Sequence, residues 1–460
     1  MTNRARAWLA QWGPMLPLLI AEATIWAGFG ALLPILPIYF TQHGVSLPML
    51  GLVVAAWPIA RLVGEPVFGR IADSVPRRNM MVIGLLLAAV FAVAPLFFVG
   101  PAAFILARLL AGLSASIYDP AARGYLVDAN PPERQGETFG LYGAAQMGGL
   151  MLGPAIGGLA AAVTGNPTIV FWVAGICVFL SGILVWARVR EIPRTYTGPE
   201  AVTAVGSSAG EAPAPHEAAT TADSVPDPLD HPTGPELPRP TRLLNRLLIA
   251  AIVLNIASFF AGGTYEVVWS LYLTDLGADL ALIGLTFFTF ALPILLLSPV
   301  MGRFIDREGG FLALIVGMAG IGICGAAYAL APSPWFVIVL GLAEGAAFAV
   351  ASPALYMLVS RASPPGRSST AQGIFGAAGT IGTITASLAA GVMAEADLRL
   401  PFLSTGVVIG VLTLLGLAIG RRRLYDAMQP AHIRPREPGP ALGQASGQRG
   451  VGEPVAEVDR

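Results

Sequence analysis

Long apolar runs of about twenty residues, separated by short stretches that collect the charge, set the rhythm of this chain. Such runs fall near residues 15–40, 48–68, 79–99, 101–126, 136–162 and 168–188. After a polar interval they resume near 246–272, 280–301, 311–331, 334–360, 369–395 and 400–420. A helix rising about 1.5 Å per residue crosses the roughly 30 Å hydrocarbon core in that length. The pattern predicts an all-α membrane protein with twelve transmembrane helices, six in each half. The interval 190–241 is rich in Pro, Ala, Thr and acids and has no apolar periodicity, which predicts a disordered linker; residues 424–460 read the same way. The expected organisation is a six-helix bundle over 1–189, the linker, a second bundle over 242–423, and a tail.

The polar turns between the runs carry a repeat. Gly69-Arg70-Ile71-Ala72-Asp73-Ser74-Val75-Pro76-Arg77-Arg78, after span 2, returns as Gly302-Arg303-Phe304-Ile305-Asp306 after span 8, a shift of 233 residues. The same shift carries Pro66 onto Pro299, Gly112 onto Gly345, Pro120 onto Pro353 and Gly140 onto Gly373. One offset that aligns both halves without a gap marks a duplicated unit. Six helices per copy make the two copies enter the membrane in the same direction, related by an axis along the membrane normal. Equivalent residues then lie at equal depth across a central cavity. Periodicity and repeat alone lead to a two-lobed secondary transporter.

Composition narrows this. Hydrophobic residues are 55% of the 460 and charged residues 12%, about half the share of a soluble domain, and the mean hydropathy is +0.69. A net charge of −1 argues against a nucleic-acid partner. All 27 basic residues are Arg, which with the heavy Ala, Gly and Pro usage points to a GC-rich bacterial genome. Arg is concentrated in alternate loops and at both termini, with Arg399 the exception, so the positive-inside rule places both termini in the cytoplasm. The basic N-terminal segment leads into a run with no small-residue cleavage site, so a retained first span is expected in place of a signal peptide. Cys177 and Cys324 do not correspond under the repeat and imply neither a disulfide nor a metal pair. His43, His216, His231 and His432 all fall in loops, linker or tail, so a proton crossing the membrane must ride on a carboxylate. No catalytic triad, metal-ligand cluster or phosphate-cradling loop is present. Neither an enzyme nor a cofactor is expected.

The turn at Gly69–Arg78 resembles the signature G-x-L-x-D-x-x-G-R-R of the major facilitator superfamily, with Pro76 in place of the second Gly. In span 5, Gly140, Gly149, Gly153-Pro154 and Gly157-Gly158 fit G-x8-G-x3-G-P-x2-G-G, the motif of its twelve-helix drug:proton antiporters. Pro34-x-x-Pro37, Arg108-x-x-x-Gly112 and Tyr265-Glu266 are similar to the same group. The resemblance implies the twelve-helix fold in two pseudo-symmetric bundles. It also implies a gating cluster of Gly69, Asp73, Arg77, Arg78 and Asp128, with Gly302 and Asp306 in the second copy, that latches the halves in one state. Physically, Asp73 can accept from free N–H groups at a helix start, and Arg77 can pair with Asp128. The Gly-Pro run of span 5 allows close helix approach and a bend.

Charges inside a membrane are functional candidates. Arg61 with Glu65, and Asp119 with Arg123, have i,i+4 spacing and read as local helix-supporting pairs. Glu22 and Glu266 lie on repeat-related stripes, since the shift maps Glu22 onto Asn255 and Leu33 onto Glu266. Expected cavity residues are therefore Glu22, Trp26, Asp119, Asn255, Tyr265 and Trp269, with the aromatic rings able to stack a planar or cationic substrate. Glu22 is expected to favour cations. Glu266, among Val267 and Val268, is the expected proton carrier, Arg108 its compensating charge at similar depth, and Glu344 a further acid for coupling. These readings converge on a monomeric exporter of amphipathic small molecules in exchange for protons, in a bacterial cytoplasmic membrane. The alternatives are an exporter of one metabolite, sugar or siderophore, or a non-transporting sensor or permease subunit. A permease subunit would need an ATPase-coupling helix, which is not seen, and Asp73, Asp306 and the span 5 motif disfavour a sensor.

Overall fold

The computed structural model describes residues 12–13, 15–72, 74–129, 135–191, 243–364 and 368–429. Among these the spans are helices: span 2 Leu47–Ala72, span 3 Arg77–Val93, span 4 Pro101–Ala129, span 5 Gln135–Thr164 and span 6 Ile169–Arg188. The second half supplies span 7 Arg246–Asp275, span 8 Leu280–Glu308, span 9 Phe311–Ala327, span 10 Pro334–Ala362, span 11 Ser368–Ala396 and span 12 Leu400–Ala427. Span 1 is broken into Leu16–Leu32 and Leu36–Gln42, bent by 42°. Pro34 sits in the break and Pro37 opens the second piece, because proline supplies no N–H and crowds the preceding turn. Counting that pair as one span gives twelve.

The repeat is visible in the backbone. Spans 3 and 9 both end in a 3-10 turn, Ala94–Leu96 and Tyr328–Leu330. A side chain at Gly112 would strike Trp57 O, and one at Gly345 would strike Phe290 O. Gly30 faces Leu150 O as Gly263 faces Thr383 O, and Gly149 faces Ala23 O as Gly382 faces Ile256 O. Every partner in these pairs is shifted by the same 233 residues. Spans 1 and 5 and spans 7 and 11 thus pack through glycines that let backbones touch.

Two more repeat-related contacts join the halves. Gly51 of span 2 lies against Ser387 O of span 11, and Gly284 of span 8 against Pro154 O of span 5. Gly391 meets Leu47 O as Gly158 meets Leu280 O. All of these lie toward the Arg-poor end. Eleven residues, nearly three helical turns, carry Pro154 to Gly143 and Ser387 to Gly376 on the same helix faces. There, toward the Arg-rich end, a side chain at either glycine would find nothing within 4 Å. The halves are sealed at the Arg-poor end and parted at the Arg-rich end.

Candidate functional site

Inside the N-terminal bundle the charges form one network. Arg61 Nε and Nη2 donate to Glu65 Oε1 at 2.9 and 2.5 Å, and Nη2 also donates to Asp119 Oδ2 on span 4. Arg123 Nη2 lies 3.9 Å from the same Asp119 oxygen. Both expected i,i+4 pairs are present, and the Arg61–Asp119 contact joins them into a bridge between spans 2 and 4. The periodicity satisfied each pair locally and gave no reason to look across. The Arg61 guanidinium also stands over Trp57, 4.7 Å from the ring centre, a cation–π placement.

Arg108 reaches across to the other half. Its Nη2 donates to Glu266 Oε1 at 2.6 Å and approaches Val54 O at 3.4 Å. The two side chains are only 8% and 16% exposed, so the pair is little screened by water. Val267 and Val268 point away into the core. The pair sits beneath the Arg-poor seal and adds a charge contact to the glycine–carbonyl approaches and the apolar cluster shared by the two halves.

Glu22 is fully buried and does not line the cavity. Its Oε1 accepts from Trp26 Nε1 at 2.9 Å and Gln146 Nε2 at 2.6 Å, and its Oε2 accepts from Tyr118 OH at 2.5 Å. The expectation of an uncompensated acid offered to substrate is corrected: the helix face was right, but span 5 and span 4 cover it. Its repeat mate Asn255 is likewise buried, donating to Phe375 O on span 11 at 2.7 Å. Glu344 is held in the same manner in the C-terminal bundle, accepting from Tyr265 OH at 2.7 Å and Tyr328 OH at 2.8 Å. Trp269 donates to Thr286 and packs against Tyr265, Tyr328 and Phe402.

A cavity of about 130 Å³ opens in the N-terminal bundle, walled by Trp26, Phe29, Trp57, Arg61, Arg108 and Asp119 together with apolar side chains of spans 1, 3, 4 and 6. Of the expected cavity residues, Trp26 and Asp119 line it. Asn255, Tyr265 and Trp269 do not, because they are committed to packing in the C-terminal bundle.

At the Arg-rich end Arg77 Nη2 reaches Asp128 at 3.2 Å, and Gly124 leaves the room its guanidinium occupies. Glu191, which sequence reasoning missed, accepts from the backbone N–H of Arg77 and of Arg78 at 2.9 Å each and so caps span 3. Arg78 Nη2 donates to Trp186 O. These contacts fasten spans 3, 4 and 6 to one another and stay within one bundle. Asp73 lies outside the described residues, as does the side chain of Asp306; a side chain at Gly302 would meet open space, and one at Gly69 only Pro120. Span 5 uses Gly149, Gly153 and Gly157 to press on span 1 at Ala23, Ala27 and Ala31, while Pro154 and Gly158 touch span 8; Gly140 lies in the helix nearer its start.

The Major Facilitator Superfamily model matches residues 18–265 and 251–449 of this chain. The chain belongs to the major facilitator superfamily. It is a multi-pass membrane transporter, and the fold is the two-bundle helical fold of that group. Among its relatives, the quinolone resistance protein NorA of Staphylococcus aureus is 33% identical over 165 residues, 35% of this transporter and 42% of that protein. Multidrug resistance protein 2 of Bacillus subtilis (strain 168) is 31% identical over 137 residues, 29% of this transporter and 34% of that protein. The matched stretch spans less than half the length of either relative. A bacterial homologue of the human lysosomal transporter Spinster, solved in an inward-facing and occupied conformation, superposes with a TM-score of 0.68 at 14% identity, over 92% of this chain and 98% of that one. At that identity the likeness carries the fold alone.

Proposed function

We propose that this transporter exports amphipathic small molecules in exchange for protons by alternating access, as one chain in a bacterial cytoplasmic membrane with both termini in the cytoplasm. The observation that carries the reading is the Arg108–Glu266 pair, an ion pair within the membrane that ties one bundle to the other at the sealed end. In this reading the pair is made by the carboxylate form of Glu266. Closing the Arg-poor end and shedding the proton are therefore one event. With the Arg-rich end facing the cytoplasm, the proton leaves inward as the cavity side opens to cytoplasmic substrate. Opening the other way separates Arg108 from Glu266 and leaves a carboxylate ready to take a proton from outside. Glu344, held by two tyrosine hydroxyls, is a second proton store in the same bundle. The cluster around Asp73, Arg77 and Asp128 latches the Arg-rich end when that end closes, and the substrate preference follows the drug-exporting relatives.

The test is Glu266→Gln in proteoliposomes under an imposed pH gradient. The reading requires loss of gradient-driven accumulation with substrate binding largely retained. Undiminished accumulation moves the carrier to another carboxylate.

A further inference from the structure

The N-terminal cavity already holds a cation. The Arg61 guanidinium lies over Trp57, and its neighbours Phe29 and Trp26 continue the aromatic wall, with ring centres 5.5 Å apart for Phe29–Trp57 and 5.6 Å for Trp26–Phe29. One arginine is shared between two acids here. Its bonds to Glu65 use both Nε and Nη2, whereas Asp119 receives only Nη2. Asp119 lines the cavity and is 7% exposed. Its other cation, Arg123, stands off at 3.9 Å with a side chain 48% exposed, which water screens. Glu22, the remaining acid nearby, is sealed behind Trp26 and Tyr118.

We propose that Asp119 is the docking group for an organic monocation bearing a planar ring, and that Arg61 is the tethered occupant which that cation displaces. The proposal rests on the exporter reading only in taking the cation as cargo. The exchange strands no charge. As the incoming cation takes Asp119, Arg61 keeps its two bonds to Glu65, so the costly step of burying an unpaired ion is avoided. The aromatic wall supplies the face on which the ring stacks. The cavity size fits a headgroup: about 130 Å³ compares with the roughly 150 Å³ apolar cavity that admits benzene. The rest of a larger substrate extends toward the parted end.

The experiment is equilibrium dye binding to the purified full chain in detergent, with no gradient, so that it reads independently of proton coupling. Ethidium is the planar cation and Nile red the uncharged control. Asp119→Asn is expected to weaken ethidium at least about tenfold, the loss of one charge-assisted contact, and to leave Nile red unchanged. Asp119→Glu retains the preference for ethidium, which separates docking from folding. Arg61→Gln tightens ethidium several-fold, and that gain vanishes when Asp119→Asn is added. Equal weakening of both dyes by Asp119→Asn, unchanged ethidium affinity, or an Arg61→Gln gain that survives the double substitution overturns the proposal.

Discussion

In the N-terminal bundle Gly112 rests on Trp57 O, and in the C-terminal bundle Gly345 rests on Phe290 O. The side chains around those twin contacts have little in common. Arg61, Glu65, Arg108, Asp119 and Arg123 map onto Ile294, Ser298, Gly341, Ser352 and Tyr356, so the whole charge network of one bundle is uncharged in the other. Conversely Glu266 and Glu344 map onto Leu33 and Ala111. Backbone contacts followed the repeat while interior charges diverged. The glycine–carbonyl approaches are thus duplicated with the fold, whereas each interior charge belongs to one half alone, and the Arg108–Glu266 pair takes one partner from each.

Breaking the Arg108–Glu266 contact between the bundles has the largest expected effect. Arg108→Gln leaves Glu266 without its cation, a loss of about 3 kcal/mol or roughly a hundredfold in gradient-driven transport. Proteoliposome uptake measures it, and transport within a few-fold of wild type breaks the division of labour described above. Next come the twin seal contacts. Gly51→Val drives a side chain into Ser387 O, while the equivalent Gly284→Val starts from a looser 3.1 Å approach to Pro154 O. Overpacking of about 1–3 kcal/mol is expected at Gly51 and less at Gly284. Spin-label distances between spans 2 and 11 read the resulting shift toward the outward-open form. A larger response at Gly51 is the expected order; equal responses, or a larger one at Gly284, contradict the packing.

Smaller still is Glu22→Gln. A glutamine oxygen can take both the Trp26 and Gln146 donors, and its NH₂ can donate to the Tyr118 hydroxyl, which keeps each contact but reverses the Tyr118 bond. Cationic and neutral substrates are expected to respond alike and little. Selective loss of cations shows that the carboxylate reaches substrate after all. The smallest effect belongs to Glu191→Ala, which removes a cap from span 3 and costs about 1 kcal/mol, read as a Tm lowered by a few degrees with transport kept.

The spans and the duplication were legible in the sequence, because hydropathy and a fixed offset are local or translational signals; the break in the first helix at Pro34 was not read, since the apolar run passes through it. So was the depth match of Arg108 and Glu266, since a repeat that preserves depth allows counting. What a helical stripe does not carry is the rotation of that helix against its neighbours. Glu22 therefore read as facing substrate when spans 4 and 5 cover it, and Tyr265 and Trp269 read as cavity wall when they fill the C-terminal core. Arg61 illustrates the other failure. Its i,i+4 partner Glu65 was a sufficient explanation, so the bond to Asp119, 58 residues away, left no trace in the spacing. Glu191 was missed because it lies just past the last residue of span 6, where nothing apolar marks it.

The seal between the bundles combines glycine Cα–carbonyl approaches with an apolar cluster that runs through both halves. A contact of that kind has no chemical preference that a substrate could satisfy or offend. On the proposed reading, substitutions that alter which molecules are carried arise in the walls of the cavity, at positions such as Trp57 or Asp119. The hinge-side contacts can stay fixed through any such change. The same economy has a cost at the seal itself: at Gly51 and Gly391 even a methyl group would collide with backbone, whereas Gly158 leaves room for one. Closure and cavity share span 2 but otherwise use different helices, spans 5, 8 and 11 at the seal and spans 1, 3, 4 and 6 around the cavity.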